Sequence, residues 1–411
     1  MTDEQPTPPR HQPFAGIRVL DLSRVLASPF ASYMLGLLGA EIIKIEDPKG
    51  GDVMRTRSPG DATLGALGMG TGFLSQNANK RSLTLDLRVQ EGQDIFRKLA
   101  ADADVIVENL RTGTMESYGL GYEDLKAINP KLVYCSLTGY GHTGEKMRHP
   151  AYDPVIQAAS GVMSLTALSD SGPIKAGIPA IDYGTGMVAA FGIVSALYER
   201  VQTGLGQHVD VSMLDTALVL MSSVVTDVMT LGSNPKPVGN TLGPSYGTNQ
   251  AYKVAEGLIW ISAPEEHQQR SLWRVIGRED IPANILFATE KLRSTNVAKL
   301  KIEIEAALTS KSAQEWEVLL NEAGVPAMRV RSVQEALTLP QLESRAMFHT
   351  FSDIPGWDKP ATVPMLPFVL SETPARIDRR PPLLGEHTLE ILAGLGINKT
   401  DIDRLKSNGV V

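Results

Sequence analysis

The segment Ile17-Arg-Val-Leu-Asp-Leu22, the uncharged stretch Phe30–Leu38 after it, and then Glu41-Ile-Ile-Lys-Ile-Glu46 decide the fold. Two short apolar runs flank a stretch that reads as a buried helix, so the unit is strand, helix, strand. The same alternation continues downstream. Ser82–Leu87 predicts another strand, and Gln90–Ala103 predicts a helix with Ile95, Leu99 and Ala103 on one face. Val105–Val107 and Lys131–Leu137 supply further strands, with a helix over Tyr122–Ile128 between them. Strands alternating with helices predict an α/β fold around an open, mostly parallel sheet. No repeat of fixed period interrupts it.

Further along, Gly184–Gln202 predicts the longest helix and Met213–Thr230 a second apolar one. Gly232–Gly247 is rich in Gly, Pro, Asn and Ser and reads as a hinge. Beyond it, Leu258–Ser262 predicts a strand, and Gln268–Ile276, Lys291–Leu308 and Ala313–Ala323 predict helices. That block has an apolar pattern of its own, as a smaller domain would.

At 411 residues and 43% hydrophobic, the chain has length for about two to three domains. Its 39 basic against 46 acidic residues, a net charge of −7, argue against a generic nucleic-acid binder. The single Cys135 excludes an intrachain disulfide and a multi-cysteine zinc site. The first residues lack a signal-peptide pattern, and the longest uncharged stretches, Val25–Ala40 and Tyr183–Tyr198, fall short of a bilayer span. The expectation is a cytoplasmic chain with neither nucleic acid nor membrane as partner.

Gly139-Tyr-Gly141-His-Thr-Gly144 has the dinucleotide-binding glycine spacing, but that fingerprint must open a helix. A charged loop ending in Pro150 follows instead, so the motif reads as a glycine-rich turn. Cys135 lies among apolar residues and reads as a structural thiol. The scattered histidines make no zinc-binding spacing, and no metal is expected. Asp182 lies where an apolar run meets Gly184 and Gly186 at the start of the longest helix. It reads either as a helix N-cap or as a carboxylate in a water-poor pocket, suited to attack on an activated acyl donor such as a thioester. Arg111, just after a strand, would stand near the carboxyl edge of the sheet, where such folds bind ligands.

Taken in order, several segments resemble the class III CoA-transferases, the formyl-CoA transferase and carnitine CoA-transferase type (CaiB/BaiF). They are Gly16–Leu22 with Arg24–Ala27, Leu38–Glu46, Asn79-Lys-Arg-Ser82, Asp104–Gly113, Leu137–Gly141, Gly204–Gln207 with Val209–Val211, and Leu383–Thr388. The resemblance implies a Rossmann-like large domain built from both chain ends plus a smaller α+β domain, in an interlocked, ring-shaped homodimer. The implied boundaries are a mobile tail over 1–13, the large domain over 14–225, linker and small domain over 226–325, and a return to the large domain over 326–411. It implies an acyl-CoA:carboxylate CoA-transferase that moves CoA from an acyl-CoA, succinyl-CoA among them, to a carboxylic acid. Acyl-CoA is a substrate, and no tightly bound cofactor is expected.

Asp182 matches the family aspartate that forms an acyl anhydride and then an aspartyl-CoA thioester. CoA contacts carry over onto Val25, Ala27, Leu85, Arg88, Asn109, Leu110, Arg111, Gly113 and Thr114, with Arg148 facing the phosphates. Leu26, Tyr152 and Asp153 would line the acyl site. Leu26 replaces the Gln of the formyl-CoA enzymes, which points to a larger, less polar acyl group. Only Gly243 and Gly247 stand where those enzymes carry a glycine run, Asp47 stands where an arginine would stack on adenine, and Ser117 takes a basic position. The fold also hosts α-methylacyl-CoA racemases, but Tyr152 occupies the racemase histidine position. An isomerase and a non-catalytic CoA-binding protein are the alternatives.

Overall fold

A computed structural model describes residues 11–168, 171–243 and 247–411. Residues 1–10 of the expected tail and 244–246 of the expected hinge lie outside the described residues. Two compact units emerge. The first takes the chain up to Val162, then Lys175–Gly232 and Gln341–Val411.

Its centre is a six-stranded sheet of β1 (Arg18–Asp21), β2 (Glu41–Glu46), β3 (Lys80–Thr84), β4 (Val105–Glu108), β5 (Val133–Thr138) and β6 (His208–Ser212). All neighbours pair parallel, in the order β3-β2-β1-β4-β5-β6. Alternate residues go to opposite faces, as the strand period requires. Val19, Ile42, Val105 and Val133 pack under one set of helices, and Leu20, Ile43, Leu83 and Ile106 under another. Burial on both faces is why these strands read as near-continuous apolar runs. The strand order reverses between β1 and β4, which opens a crevice at their carboxyl ends.

Helix α1 (Ala27–Leu37) begins three residues before the expected start, because Ser28 and Pro29 fit a first turn. Helix α2 (Gln90–Ala101) follows β3, and α3 (Asp153–Ser160) opens with Pro154 in its first turn. Helix α4 (Ala180–Thr203) starts one turn earlier than Gly184. By length and composition α4 could cross a membrane, but half of its apolar window is buried, with Ala189 and Ile193 in the core beneath the sheet. The helix expected over Met213–Thr230 is two, α5 (Met213–Leu220) and α6 (Ser222–Leu231), bent by 81°. Gly139–Gly144 forms a turn, with Gly141 and Gly144 at φ 80° and 83°, and opens no helix. Cys135 is fully buried, and burial pushes its thiol well above the usual range.

The second unit comprises Met163–Ile174 and Ser233–Pro340. Its antiparallel strands β7 (Gln250–Lys253), β8 (Leu258–Ile261) and β9 (Ala327–Arg329) pair in that order. Helices Glu266–Val275, Val297–Leu308 and Ala313–Glu322 bury Trp273, Leu300 and Trp316 with Tyr252 and Ile259. The units divide after Gly232 and Pro340, where the sequence placed changes after 225 and 325. Helix α6 runs unbroken through 225, and pairing of β9 with β8 keeps the chain beyond 325 in this unit.

The returning segment belongs to the first unit and contributes the hairpin β10 (Phe348–Phe351) and β11 (Ala361–Pro364). It is tied to β3. The Gly385 N–H donates to Ser82 Oγ at 2.9 Å, and the Thr84 N–H donates to Thr388 Oγ1 at 3.1 Å.

Candidate active site at the carboxyl edge of the sheet

Helix α4 must carry the chain back to the start of β6, which runs parallel to β5. Its N-terminus therefore stands at the carboxyl edge of the sheet. Asp182 is the third residue of this helix, and Pro179, not Asp182, occupies the N-cap position. Capping comes from elsewhere. Asp153 Oδ2 accepts the N–H groups of Ile181 at 2.8 Å and Asp182 at 3.1 Å, which satisfies two of the helix's free donors. The other Asp153 oxygen accepts from Gln157 Nε2, and Gln157 Oε1 accepts the Ala176 N–H at 2.8 Å. Asp153 is 4% exposed. With both oxygens engaged, it orients the first turn of α4, and it also lines the cavity that holds Asp182.

Relieved of capping, the Asp182 carboxylate has no hydrogen-bond donor among the described residues, and it is half-buried. Burial, and secondly the Asp153 charge, push its pKa up to about 7. Four residues on, and so on the same side of the helix, Gly186 lies against α1. A Cβ there would stand 2.5 Å from the Ala27 carbonyl oxygen. Tyr183 meets the Phe30 ring edge-on at 5.0 Å. These contacts bring Asp182 toward the Val25–Ala27 loop.

That loop is strained. Val25 has φ 70°, a left-handed conformation that a β-branched residue rarely adopts. Both of its backbone groups are pinned: its N–H donates to Asp52 Oδ1 at 3.2 Å, and its carbonyl accepts from Gln76 Nε2 at 2.6 Å. Below lies a buried charge network. Lys44 Nζ pairs with Asp52 at 3.2 Å and donates to the Ser23 carbonyl at 2.7 Å. Lys80 pairs with Asp21 at 2.8 Å, and Arg55 meets Glu46 through two bonds of 2.7 and 2.6 Å. Burial alone would raise the Asp21 pKa, but the Lys80 and Lys44 charges hold it well below the usual range. Leu26 turns toward Gly72 beside Met54. No side chain caps α1, so the first N–H groups after Leu26 have no side-chain acceptor.

Two of the cavities in this first unit lie at the carboxyl edge of the sheet. One, about 450 Å³, is lined by Asp182, Tyr152, Asp153, Ile178, Arg57 and Lys175. The other, about 220 Å³, sits at the carboxyl ends of β1 to β4, where Leu85, Arg88, Leu110 and Thr114 converge with Arg24 and Tyr118. Arg88 is held there by a two-bond pairing with Asp86 and by Asp47 at 3.2 Å. Asn109 exchanges two hydrogen bonds with the Arg24 backbone, at 2.8 and 2.7 Å, and so ties the loop after β4 to the loop after β1. Gly113 supplies the left-handed residue before Thr114, at φ 93°. Arg111 and Arg148 are exposed, and neither lines the two cavities. Sequence reasoning missed Arg57, Lys175 and the Asp52–Gln76 clamp, because their segments have no periodicity and come together only through tertiary contacts.

A half-buried carboxylate free of donors, beside an uncapped helix N-terminus, can act as a nucleophile or as a proton acceptor. Comparison with known proteins narrows this. The family model described as CoA-transferase family III matches residues 14–388. The chain is 33% identical over 397 residues to the succinate–glutarate CoA-transferase of Agrobacterium fabrum, covering 96% of this chain and 98% of that protein. It is 35% identical over 395 residues to the succinyl-CoA:mesaconate CoA-transferase of Haloarcula hispanica, covering 94% and 98%. Among solved structures, a CAIB/BAIF family protein from Brucella suis superposes with a TM-score of 0.85 at 34% identity, covering 94% of this chain and all of that one.

Proposed function

The chain belongs to CoA-transferase family III and is an enzyme of that class, and from this premise we propose that Asp182 is the covalent nucleophile of a cytoplasmic acyl-CoA:carboxylate CoA-transferase. The observation that carries the proposal is the Asp182 carboxylate itself, half-buried, without donors and held by the Asp153 cap at the carboxyl edge of the sheet.

In the first half-reaction an Asp182 oxygen adds to the thioester carbonyl, and the C–S bond breaks to release CoA thiolate and leave a mixed anhydride. The thiolate then attacks the Asp182 carbonyl, which expels the donor carboxylate and leaves an aspartyl-CoA thioester. The acceptor carboxylate repeats these steps in reverse, yielding its own CoA thioester and free Asp182. The oxyanion formed at each addition would be met by the uncapped N–H groups at the start of α1. Succinyl-CoA is the first donor to try, since both relatives carry succinate or succinyl-CoA in their names.

The smaller cavity is the proposed CoA site. Its place at the ends of β1 to β4, and the strand order with its reversal beside β1, support a Rossmann-like reading. In this reading Arg88 reaches CoA from an anchored position, while Arg111 and Arg148 are free for phosphates. An interlocked homodimer is proposed with it. Phe191, Tyr198 and Val201 on α4, and Met229 and Leu231 on α6, form an exposed apolar set (59–83% exposed with Leu205) that a second copy would cover.

The reading is tested by incubating the protein with succinyl-CoA and a panel of carboxylic acids in heavy water. The expected products are new acyl-CoAs without deuterium at the α-carbon. Deuterium uptake without CoA transfer would instead favour the isomerase, whose carbon acid–base chemistry lacks a histidine at Tyr152.

A further inference from the structure

The cavity around Asp182 carries charge that the nucleophile does not use. Arg57 and Lys175 both line it. Among the described residues Arg57 has no hydrogen-bond or ion-pair partner, and Lys175 Nζ donates only to the Ala176 carbonyl, at 3.0 Å. Nearby arginines are committed elsewhere: Arg55 is buried on Glu46, and Arg88 sits on Asp86 and Asp47. The second acid of the cavity, Asp153, spends both oxygens on the α4 N-terminus and Gln157.

Both cations grow from fixed backbone. A Cβ on Gly70 would stand 2.4 Å from the Arg57 carbonyl oxygen, so that glycine lets the two segments close on each other. On the other wall, the Gln157 amide holds the Ala176 N–H next to Lys175. The one charge that shifts Asp182 is Asp153, and neither cation lowers its pKa. A molecule whose reacting carbonyl sits at Asp182 shares its cavity with these two positive charges.

We propose that Arg57 and Lys175 bind a second carboxylate, so that the enzyme's acids are dicarboxylic and its thioesters are their CoA monoesters. The inference rests on Asp182 being the nucleophile and adds the class of acid.

The test compares acceptor kcat/KM for glutarate and for valerate, which has the same number of carbons, with succinyl-CoA as fixed donor. The native enzyme is expected to favour glutarate. That ratio should fall about 10-fold in Arg57→Gln and in Lys175→Gln, and about 100-fold in the double variant, as loss of charge-assisted hydrogen bonds requires. Arg57→Lys, which keeps the charge, should recover part of the loss. A ratio near one in the native enzyme, or one unmoved in the double variant, would overturn the inference while leaving the nucleophile reading intact. Transfer to neither acid, with no adduct on Asp182, would overturn the nucleophile reading instead.

Discussion

Replacing Asp182 by Asn is expected to slow CoA transfer by at least about 10⁴-fold, the scale seen when a member of a covalent catalytic unit is removed. The amide is nearly isosteric and keeps the backbone N–H that Asp153 accepts, but it has no oxygen able to form an anhydride. CoA binding should survive, because the smaller cavity contains no part of Asp182. In the native enzyme the first half-reaction should accelerate as pH rises through about 7, where Asp182 becomes a carboxylate. Stability should move the other way. An acid with a raised folded-state pKa favours the folded state below its unfolded value, and that advantage is lost as pH rises through the folded value. Between pH about 4 and 7 the native protein should therefore lose stability relative to Asp182→Asn. At pH 8 the variant should be more stable by about 2 kcal/mol, after allowance for partial exposure. A thermal or denaturant series at pH 5 and pH 8 reads the difference. A variant that keeps even a tenth of the native rate would remove Asp182 from the chemistry.

The second large effect concerns the buried network under the strained loop. Lys80→Met leaves Asp21, fully buried, without its closest counter-charge and should cost about 3–5 kcal/mol of unfolding free energy. Lys44 is close enough to act on Asp21 but is itself committed to Asp52 and to the Ser23 carbonyl. Asp21→Leu combined with Lys80→Met removes both charges and should recover most of the loss, as replacement of a buried pair by apolar groups does. Equal destabilisation in the single and double variants, measured by denaturant unfolding, would show that shape rather than charge matters there. The same lysine has its pKa pushed down to about 8 by burial, partly offset by Asp21. A network this confined gives the β1–α1 loop a stiff floor, which a residue such as Val25 needs to stay at φ 70°.

The sheet was legible because it is buried on both faces. Apolar runs at Val19–Leu20, Ile42–Ile43 and Val105–Val107 have no other use, and the helices between them leave only a parallel arrangement. The helix ends were less so. The start of α4 was hidden because its cap comes from Asp153, 29 residues upstream, where local capping patterns cannot show it. The break between α5 and α6 falls at Met221 within an apolar run that carries no glycine or proline, so nothing local marks it. At the site, Asp182 stood out through its glycine neighbours and the family pattern, while Tyr152 and Leu110 came only from the resemblance. Arg57 and Lys175 were invisible for a physical reason. One lies in the Pro- and Gly-rich segment after β2 and the other before α4, and only the folded chain gives them a common cavity.

The most direct measurement is mass spectrometry of the protein after brief incubation with succinyl-CoA, with and without hydroxylamine. A CoA adduct without the trap, and a hydroxamate with it, both mapping to Asp182 and absent from Asp182→Asn, are the expected result. An unmodified Asp182 in protein that transfers CoA under the same conditions would contradict the covalent route.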